Sequence, residues 1–200
     1  MSEPIVFMPD TNMFRDFVNG NANQADLKRA AHDFWRSTAA LAALNQAEIK
    51  IPKEVETELR VQMHTFTSTQ HKNILTKILN QNVIVDFPLP VDLERELREF
   101  TNYLRDPNHF NQTIIRHPHY GLNYLQASDA RILVTAYKYD GILVTHNIKD
   151  FLIYDVLFEP AEEKLYDYVN KRYVKIPPAG RALIEQDRWF QKLKQDLINL

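Results

Sequence analysis

Short apolar runs alternate with longer amphipathic stretches along the chain. Residues 5–8 form an unbroken apolar run that ends at Pro9 and Asp10, which predicts a strand buried on both faces. Between residues 26 and 45, apolar side chains recur at helical spacing and predict an amphipathic helix. The same two patterns predict the remaining regular elements, namely strands at 48–51, 83–85 and 142–145, and helices at 52–66, 72–79, 93–104 and 128–139.

Other segments lack a period and are predicted from their residue types. Residues 10–12 are polar and predict a turn, and residues 106–124 predict a long loop, a feature that is often functional inside a compact domain. The helix at 128–139 is expected to stop at Asp140 and Gly141, with the glycine as its C-cap. Near the C-terminus, 173–176 predicts an edge strand and 182–197 a terminal helix.

This alternation of strands and helices predicts an α/β fold, in which helices cover a mainly parallel central sheet. The chain has 200 residues with 24 Lys and Arg against 26 Asp and Glu, the size and charge of one globular domain. It has no cysteine, which excludes thiol nucleophiles, disulfides and thiolate zinc sites. No apolar run approaches the ~20 residues of a membrane span and no basic leader precedes the first strand, so we expect a cytoplasmic protein without a membrane partner.

Acidic residues follow the predicted strands. Asp10 closes the first strand, Asn147 and Asp150 follow the strand that ends at Thr145, and Asp129 begins the helix leading into that strand. Because ligands bind at the carboxyl ends of parallel strands, these side chains should meet at one edge of the sheet. Glu58, in the helix after the second strand, can reach the same edge. Acids without a Lys or Arg partner need a cation, and oxygen ligands favour Mg²⁺ or Mn²⁺. Such a site handles phosphates.

Each acid also has a structural interpretation. Asp10, followed by Thr11 and Asn12, has the pattern of a helix cap or an Asx turn. Asp129 would be favourable at a helix N-terminus by about 0.3–1 kcal/mol without any metal. Glu58 and Glu56 flank opposite sides of the same apolar stripe, so periodicity does not choose between them.

The long loop mixes cations with aromatic side chains. Arg116, His117 and Tyr120 belong to this set, a combination that holds single-stranded nucleic acid through phosphate contacts and base stacking. A solvated loop is the alternative. A zinc site is disfavoured because no HxxxH pair lies on a predicted helix. Arg131 and Lys149 lie close to the acids in sequence and are predicted to hold the phosphate.

Four segments, 5–12, 51–59, 128–133 and 143–151, together resemble the PIN-domain family, the metal-dependent ribonucleases that include the VapC-type toxins of toxin–antitoxin pairs. The resemblance implies a three-layer α/β/α fold over residues 1–200, with an insertion around 63–124 and a C-terminal extension after about 160. It implies acidic metal-site residues at Asp10, Glu58 and Asp129, completed by Asp150 or by the Asn147 position. Polar groups expected to support them are Thr11, Asn12, Thr145 and Asn147.

The function implied by the resemblance is a Mg²⁺- or Mn²⁺-dependent endoribonuclease that cleaves single-stranded or looped RNA. We expect the toxin of a toxin–antitoxin pair, with an antitoxin protein as partner and a homo-oligomeric assembly. Two alternatives stay open. One is a nuclease of phage defence or of RNA or DNA processing, and the other is a catalytically inactive PIN scaffold.

Overall fold

The computed structural model describes residues 3–18, 24–110, 117 and 119–200. The strands in this part of the chain are β1 (Ile5–Pro9), β2 (Ala47–Pro52), β3 (Val83–Val85), β4 (Ile142–Thr145), β5 (Leu165–Asp167) and β6 (Arg172–Tyr173). The α-helices are α1 (Thr11–Val18), α2 (Ala25–Ala43), α3 (Lys53–Met63), α4 (Thr69–Gln81), α5 (Val91–Tyr103), α6 (Ala127–Lys138), α7 (Ile148–Phe151), α8 (Pro178–Gln186) and α9 (Arg188–Ile198). A buried 3₁₀ helix, Leu152–Leu157, follows α7.

The six strands form one sheet in the order β3-β2-β1-β4-β5-β6. Each neighbouring pair is parallel except β5 and β6, which are antiparallel. The predicted α/β fold with a mainly parallel sheet is therefore confirmed. Because β1 and β4 are adjacent at the centre, the segments that follow Pro9 and Thr145 emerge side by side at the carboxyl edge of the sheet.

Helices cover both faces of this sheet. Phe7 and Tyr166 both contact the Phe34 ring of α2, at centroid separations of 5.5 and 5.9 Å, so α2 covers their face. Side chains alternate along a strand, so Met8 and Leu143 point to the opposite face. Both are fully buried, and α6 packs on β2 and β4 there. The sheet is thus the middle of three layers.

The predicted turn at residues 10–12 is wrong, because α1 begins directly after β1. The Asp10 carboxylate accepts a hydrogen bond from the Met13 backbone N–H at 3.0 Å, as a helix N-cap does, and so replaces the turn. Met13, Phe14 and Val18 are buried along α1 and hold it against the core. The sequence pattern did not predict α1 because the polar residues 10–12 at its start indicate a turn.

The C-terminal third also differs from the prediction. The helix expected at 182–197 is two helices, α8 and α9, because Asp187 between them has an extended backbone with ψ of 128°. Its carboxylate accepts hydrogen bonds from the backbone N–H groups of Trp189 and Phe190 at 2.8 and 3.1 Å, which starts a new helix. The edge strand expected at 173–176 is wrong in its bounds, because β6 covers only Arg172–Tyr173. The sequence patterns did not predict β5, which lies inside the sheet.

The C-terminal end of α6 shows why residue 141 is a glycine. Gly141 donates its N–H to the Ala136 carbonyl and Asp140 donates to that of Tyr137, which is a Schellman motif. The residue in the left-handed conformation is Asp140, with φ of 50°, so the prediction of Gly141 as the cap is wrong. Glycine is required at 141 by contact, because a Cβ there would lie 2.6 Å from Met8 Sδ.

Replacing Gly141 with Ala should therefore destabilise the protein by about 1–3 kcal/mol, as overpacking of a core does, since Met8 is fully buried and has little space to move into. Chemical denaturation measures the change. Gly121→Ala is the matched control, because nothing lies within 4 Å of its Cβ position. Equal stabilities of the two variants would show that the contact with Met8 does not constrain residue 141.

Candidate functional site

Asp10 lies at the carboxyl end of β1 with 2% of its surface exposed. Its Oδ2 accepts hydrogen bonds from Thr145 Oγ1 at 2.6 Å and from Asn12 Nδ2 at 3.2 Å, while Oδ1 caps α1 through the Met13 N–H. Burial nevertheless raises the pKa of Asp10 to about 6, because desolvation outweighs these hydrogen bonds. The helix-cap interpretation of Asp10 is correct. Capping alone, however, does not require a carboxylate at a position where burial disfavours its charged form.

The contacts of Glu56 and Glu58 show which of the two lies with the other predicted acids. Glu56 is buried between Lys53 and Arg60, whose hydrogen bonds and charges hold its pKa below the usual range, so it is part of an ion-pair network. Glu58 instead accepts a hydrogen bond from the Thr11 hydroxyl, which links α3 to α1 beside Asp10. The structure therefore places Glu58, and not Glu56, among the other predicted acids.

Asp129 lies in the first turn of α6, and its pKa is raised to about 7. Burial is the main cause, and the negative charges of Asp150, Glu58 and Asp10 raise it further. A hydrogen bond from the Gln126 backbone acts in the opposite direction. Since the charges of the other three acids all act on Asp129, the four predicted acids lie near one another at this edge.

Asn147 lies between two of these groups. Its backbone N–H donates to Thr145 Oγ1 at 2.8 Å, and its side-chain amide donates to the Asp150 carboxylate. Both Asn147 and Asp150 therefore lie at the carboxyl edge. The choice between them as the group that completes a metal site stays open.

The donor set fits a hard divalent cation in its chemistry but is not preformed in its geometry. No Lys or Arg in the described part of the chain forms an ion pair with Asp10, Glu58, Asp129 or Asp150. Among the same residues, no group of three or more His, Asp or Glu side chains is arranged to hold a metal ion. The carboxylates are instead held by hydroxyl, amide and backbone donors.

A buried polar network behind the acids was missing from the sequence prediction. His146 Nδ1 lies 2.8 Å from Asp16 Oδ2 and 2.7 Å from the Tyr168 hydroxyl, which itself donates to Asp16. The hydrogen bond with Asp16 raises the pKa of His146, and the His146 charge lowers that of Asp10. The three residues are distant in sequence, so no local pattern indicates them.

The two cations predicted to hold phosphate have different surroundings. The Arg131 guanidinium bridges Glu54 and Glu94, at 3.0 Å from each, and so joins α6 to α3 and α5. Lys149 is exposed on α7, and its carbonyl accepts a hydrogen bond from the Asn123 N–H at 2.8 Å, which attaches the long loop beside Asp150. Of the two, Lys149 has the freer side chain.

The long loop is irregular in its described part, as predicted, and the predicted contact residue Arg116 lies outside the described residues. Tyr120 donates its hydroxyl to Asp167, which is 1% exposed at the end of β5. The His117 ring packs on Tyr120 at a centroid separation of 4.9 Å, and Arg172 of β6 covers the same ring. Asp167 and Arg172 were not predicted as part of this site, because they are distant in sequence from the loop and only the folded sheet brings them to Tyr120.

Comparison with known proteins bears on the fold. No family model matches the chain, and no curated protein matches it. No helix in the described ranges is long and apolar enough to cross a membrane. Among solved structures, the chain is similar to FitAcB from Neisseria gonorrhoeae, with a TM-score of 0.50 and 15% identity over 82% of this chain and 98% of that one. At this identity the likeness concerns the fold alone, and it supports the three-layer α/β architecture with a mainly parallel sheet that was predicted from the sequence.

Proposed function

We propose that the protein is a metal-dependent endoribonuclease of the PIN type that cleaves single-stranded or looped RNA. The observation that carries the proposal is the meeting of Asp10, Glu58, Asp129 and Asp150 at the carboxyl edge, where burial, and after it the charges of the other three acids, raises the pKa of Asp129 to about 7. A fold gains nothing from mutual repulsion of this kind, so a cation that relieves it is the simplest reason for the cluster. The likeness of the fold to FitAcB supports the proposal.

When bound, Mg²⁺ or Mn²⁺ would supply an activated water and positive charge beside the scissile phosphate. Asp10, Glu58 and Asp129 are the residues that would hold it, with Asp150 or Asn147 completing the set. If water attacks the phosphorus and the bond to the 3′-oxygen breaks, with a proton passing to that oxygen, the products have a 5′-phosphate and a 3′-hydroxyl end. The carboxylates bind and orient in this scheme, and none of them attacks the phosphorus.

The supporting side chains orient the carboxylates. Thr145 and Asn12 hold one oxygen of Asp10, Thr11 holds Glu58, and Asn147 holds Asp150. Since the acids are not arranged to hold an ion in these positions, loading requires them to exchange part of this hydrogen bonding for the ion. Any protons on Asp10 and Asp129 must leave at the same time, so metal affinity should increase as the pH rises.

The biological part of the proposal is a toxin that acts in the cytoplasm as a homo-oligomer and is restrained by an antitoxin protein. The resemblance of the four sequence segments to VapC-type toxins supports this assignment. A nuclease of phage defence or of RNA or DNA processing would have the same site and a different partner. An inactive scaffold would have the fold without metal-dependent cleavage.

The purified protein should cut single-stranded RNA with Mg²⁺ or Mn²⁺, stop with EDTA and leave 5′-phosphate ends. Gel analysis of end-labelled RNA, with and without phosphatase, measures the ends. Cleavage in EDTA, or products with 2′,3′-cyclic phosphates, would contradict the metal mechanism.

Glu58→Gln and Glu56→Gln form a matched pair two residues apart. Glu58→Gln should keep the stability of the metal-free protein and lose at least about 100-fold in cleavage rate, the scale of a removed electrostatic group. Glu56→Gln should lose about 1 kcal/mol of stability, because Lys53 and Arg60 lose their partner, and should retain cleavage. Denaturation and initial rates measure both. The reverse result would assign the site to Glu56.

The pKa values of Asp10 and Asp129 also predict how stability depends on pH. Both lie above the value of 3.8 for an ordinary aspartate, at about 6 and about 7. Between about pH 4 and about pH 7, the folded protein therefore binds more protons than the unfolded chain. The free energy of unfolding of the metal-free protein should fall as the pH rises through this range.

Asp129→Asn should remove most of this fall. In EDTA at pH 7.5 the variant should be more stable than wild type by about 1–3 kcal/mol, a range reduced from the full shift by solvent screening and by the lost helix-terminal charge. The difference should vanish near pH 4. Excess Mn²⁺ should raise the melting temperature of wild type only, because a ligand bound by the native state stabilises it. Equal metal shifts in both proteins would remove Asp129 from the site.

A further inference from the structure

A second surface lies near the acids and carries cationic and aromatic side chains in place of carboxylates. It consists of His117, His119 and Arg172, arranged around Tyr120, and we call it the His–Arg face. The His117 and His119 rings are 5.6 Å apart, and the Arg172 guanidinium lies 5.4 Å from the Tyr120 ring centroid. His119 and Arg172 are exposed, and His117 is half-buried.

Tyr120 is the anchor of this face. Its hydroxyl donates to Asp167 and accepts hydrogen bonds from Asn170 Nδ2 at 3.2 Å and Arg172 Nη2 at 3.1 Å. The ring is covered by His117 and by the guanidinium. Since these contacts occupy both the hydroxyl and the ring, Tyr120 positions the other residues and leaves them to meet a ligand.

Arg172 has binding capacity that the fold does not use. In the part of the chain that the structure describes, its guanidinium pairs with no carboxylate, and its one hydrogen bond goes to Tyr120. A guanidinium has five N–H donors, so most of them remain for a phosphate. The neighbouring Lys171 differs, because its ammonium is paired with Asp33 of α2 at 2.9 Å.

The histidine rings suit stacking. The His119 backbone N–H donates to His117 Nδ1 at 3.2 Å, which requires that nitrogen to be unprotonated. Burial, followed by the charges of Arg172 and His119, lowers the pKa of His117. A neutral ring beside a guanidinium is the combination on which unpaired bases stack while a cation holds the phosphate.

The His–Arg face is connected to the acidic site by hydrogen bonds and strand pairing. Tyr120 is bonded to Asp167, Asp167 is the register partner of Thr145 across β4 and β5, and Thr145 is bonded to Asp10. Two strand spacings separate β5 from β1, which is about 10 Å. A strand of nucleic acid whose phosphate lies at the acids can therefore extend over the His–Arg face.

We propose that the His–Arg face binds the single-stranded RNA next to the cleaved bond, with Arg172 on a phosphate and His117 and His119 stacked on bases. This inference rests on the proposed function, since it assumes an RNA substrate at the acidic site. It predicts a preference for unpaired RNA, because bases in a duplex cannot stack on protein rings.

Binding is tested apart from cleavage by titrating the whole protein into a fluorescent single-stranded RNA in EDTA at several salt concentrations. Arg172→Gln should weaken binding about 3- to 10-fold and lower the slope of log K against log salt by about 0.7, the value for one phosphate contact on a single strand. Lys171→Gln is the matched control and should keep both affinity and slope. Arg172→Lys should restore the slope, since it restores the charge.

The stacking part has its own variant. His117→Ala, alone and together with His119→Ala, should weaken binding by about 5- to 100-fold. The single variant should leave the salt slope unchanged, because a neutral ring releases no counterions. A fully paired duplex of equal length should compete at least about 10-fold less well than the single strand. Melting temperatures within a few degrees of wild type would confirm that each variant is folded.

Unchanged affinity and slope in Arg172→Gln, or equal competition by the duplex, would overturn the inference even if metal-dependent cleavage is found. RNA binding with the expected effects but no cleavage in Mn²⁺ would support the His–Arg face and reject the nuclease. The two proposals therefore fail separately.

Discussion

The structure depends on the burial of one carboxylate at the end of its central strand. Asp10 is 2% exposed, and donors from two segments converge on it, namely the Met13 N–H and the Asn12 side chain of α1, and the Thr145 hydroxyl of β4. Such a group is stable in the interior only while its hydrogen bonds are made. The bond from Thr145 thus joins β1 to β4 at their carboxyl ends, and the bond from the Met13 N–H starts α1 in the direction that brings Thr11 to Glu58.

The other acids are held by a related principle. Glu58 and Asp150 accept hydrogen bonds from neutral donors, whereas acids a few residues away, such as Glu56 and Glu54, are paired with Lys or Arg. On α3, the fold therefore neutralises the structural carboxylates with basic partners and leaves Glu58 without one in the described ranges. This difference distinguishes Glu58 from its neighbours on the same helix.

The sequence alone predicted most of the sheet and the location of this cluster, for reasons that are local. Buried parallel strands are short apolar runs, and a residue that follows such a run is at the carboxyl edge wherever the strand lies in the sheet. Asp10 and Thr145 could be assigned in this way before their 2.6 Å contact was known. The choice between Glu56 and Glu58 could not be derived from periodicity, because it depends on which helix face meets α1.

What the sequence did not predict depends on contacts between distant residues. Asp16 and Tyr168 are 152 positions apart, and each resembles an ordinary polar or aromatic residue in the sequence, yet in the fold they hydrogen-bond to each other and both contact His146. Helix α1 was missed for the opposite reason, since a strong local signal for a turn concealed its apolar stripe.

Arg172 shows how such distant contacts create chemistry. It is an isolated arginine in a two-residue edge strand, and its sequence neighbours do not distinguish it from Lys171. The antiparallel pairing of β5 with β6 places it opposite Asp167, which also receives the hydroxyl of Tyr120 from the long loop. One buried acid thus positions a tyrosine, and the tyrosine orients the Arg172 guanidinium and a histidine ring. The carboxyl edge therefore gains a cationic, aromatic extension beside a cluster of carboxylates, and a polyanion with exposed bases can contact both at once.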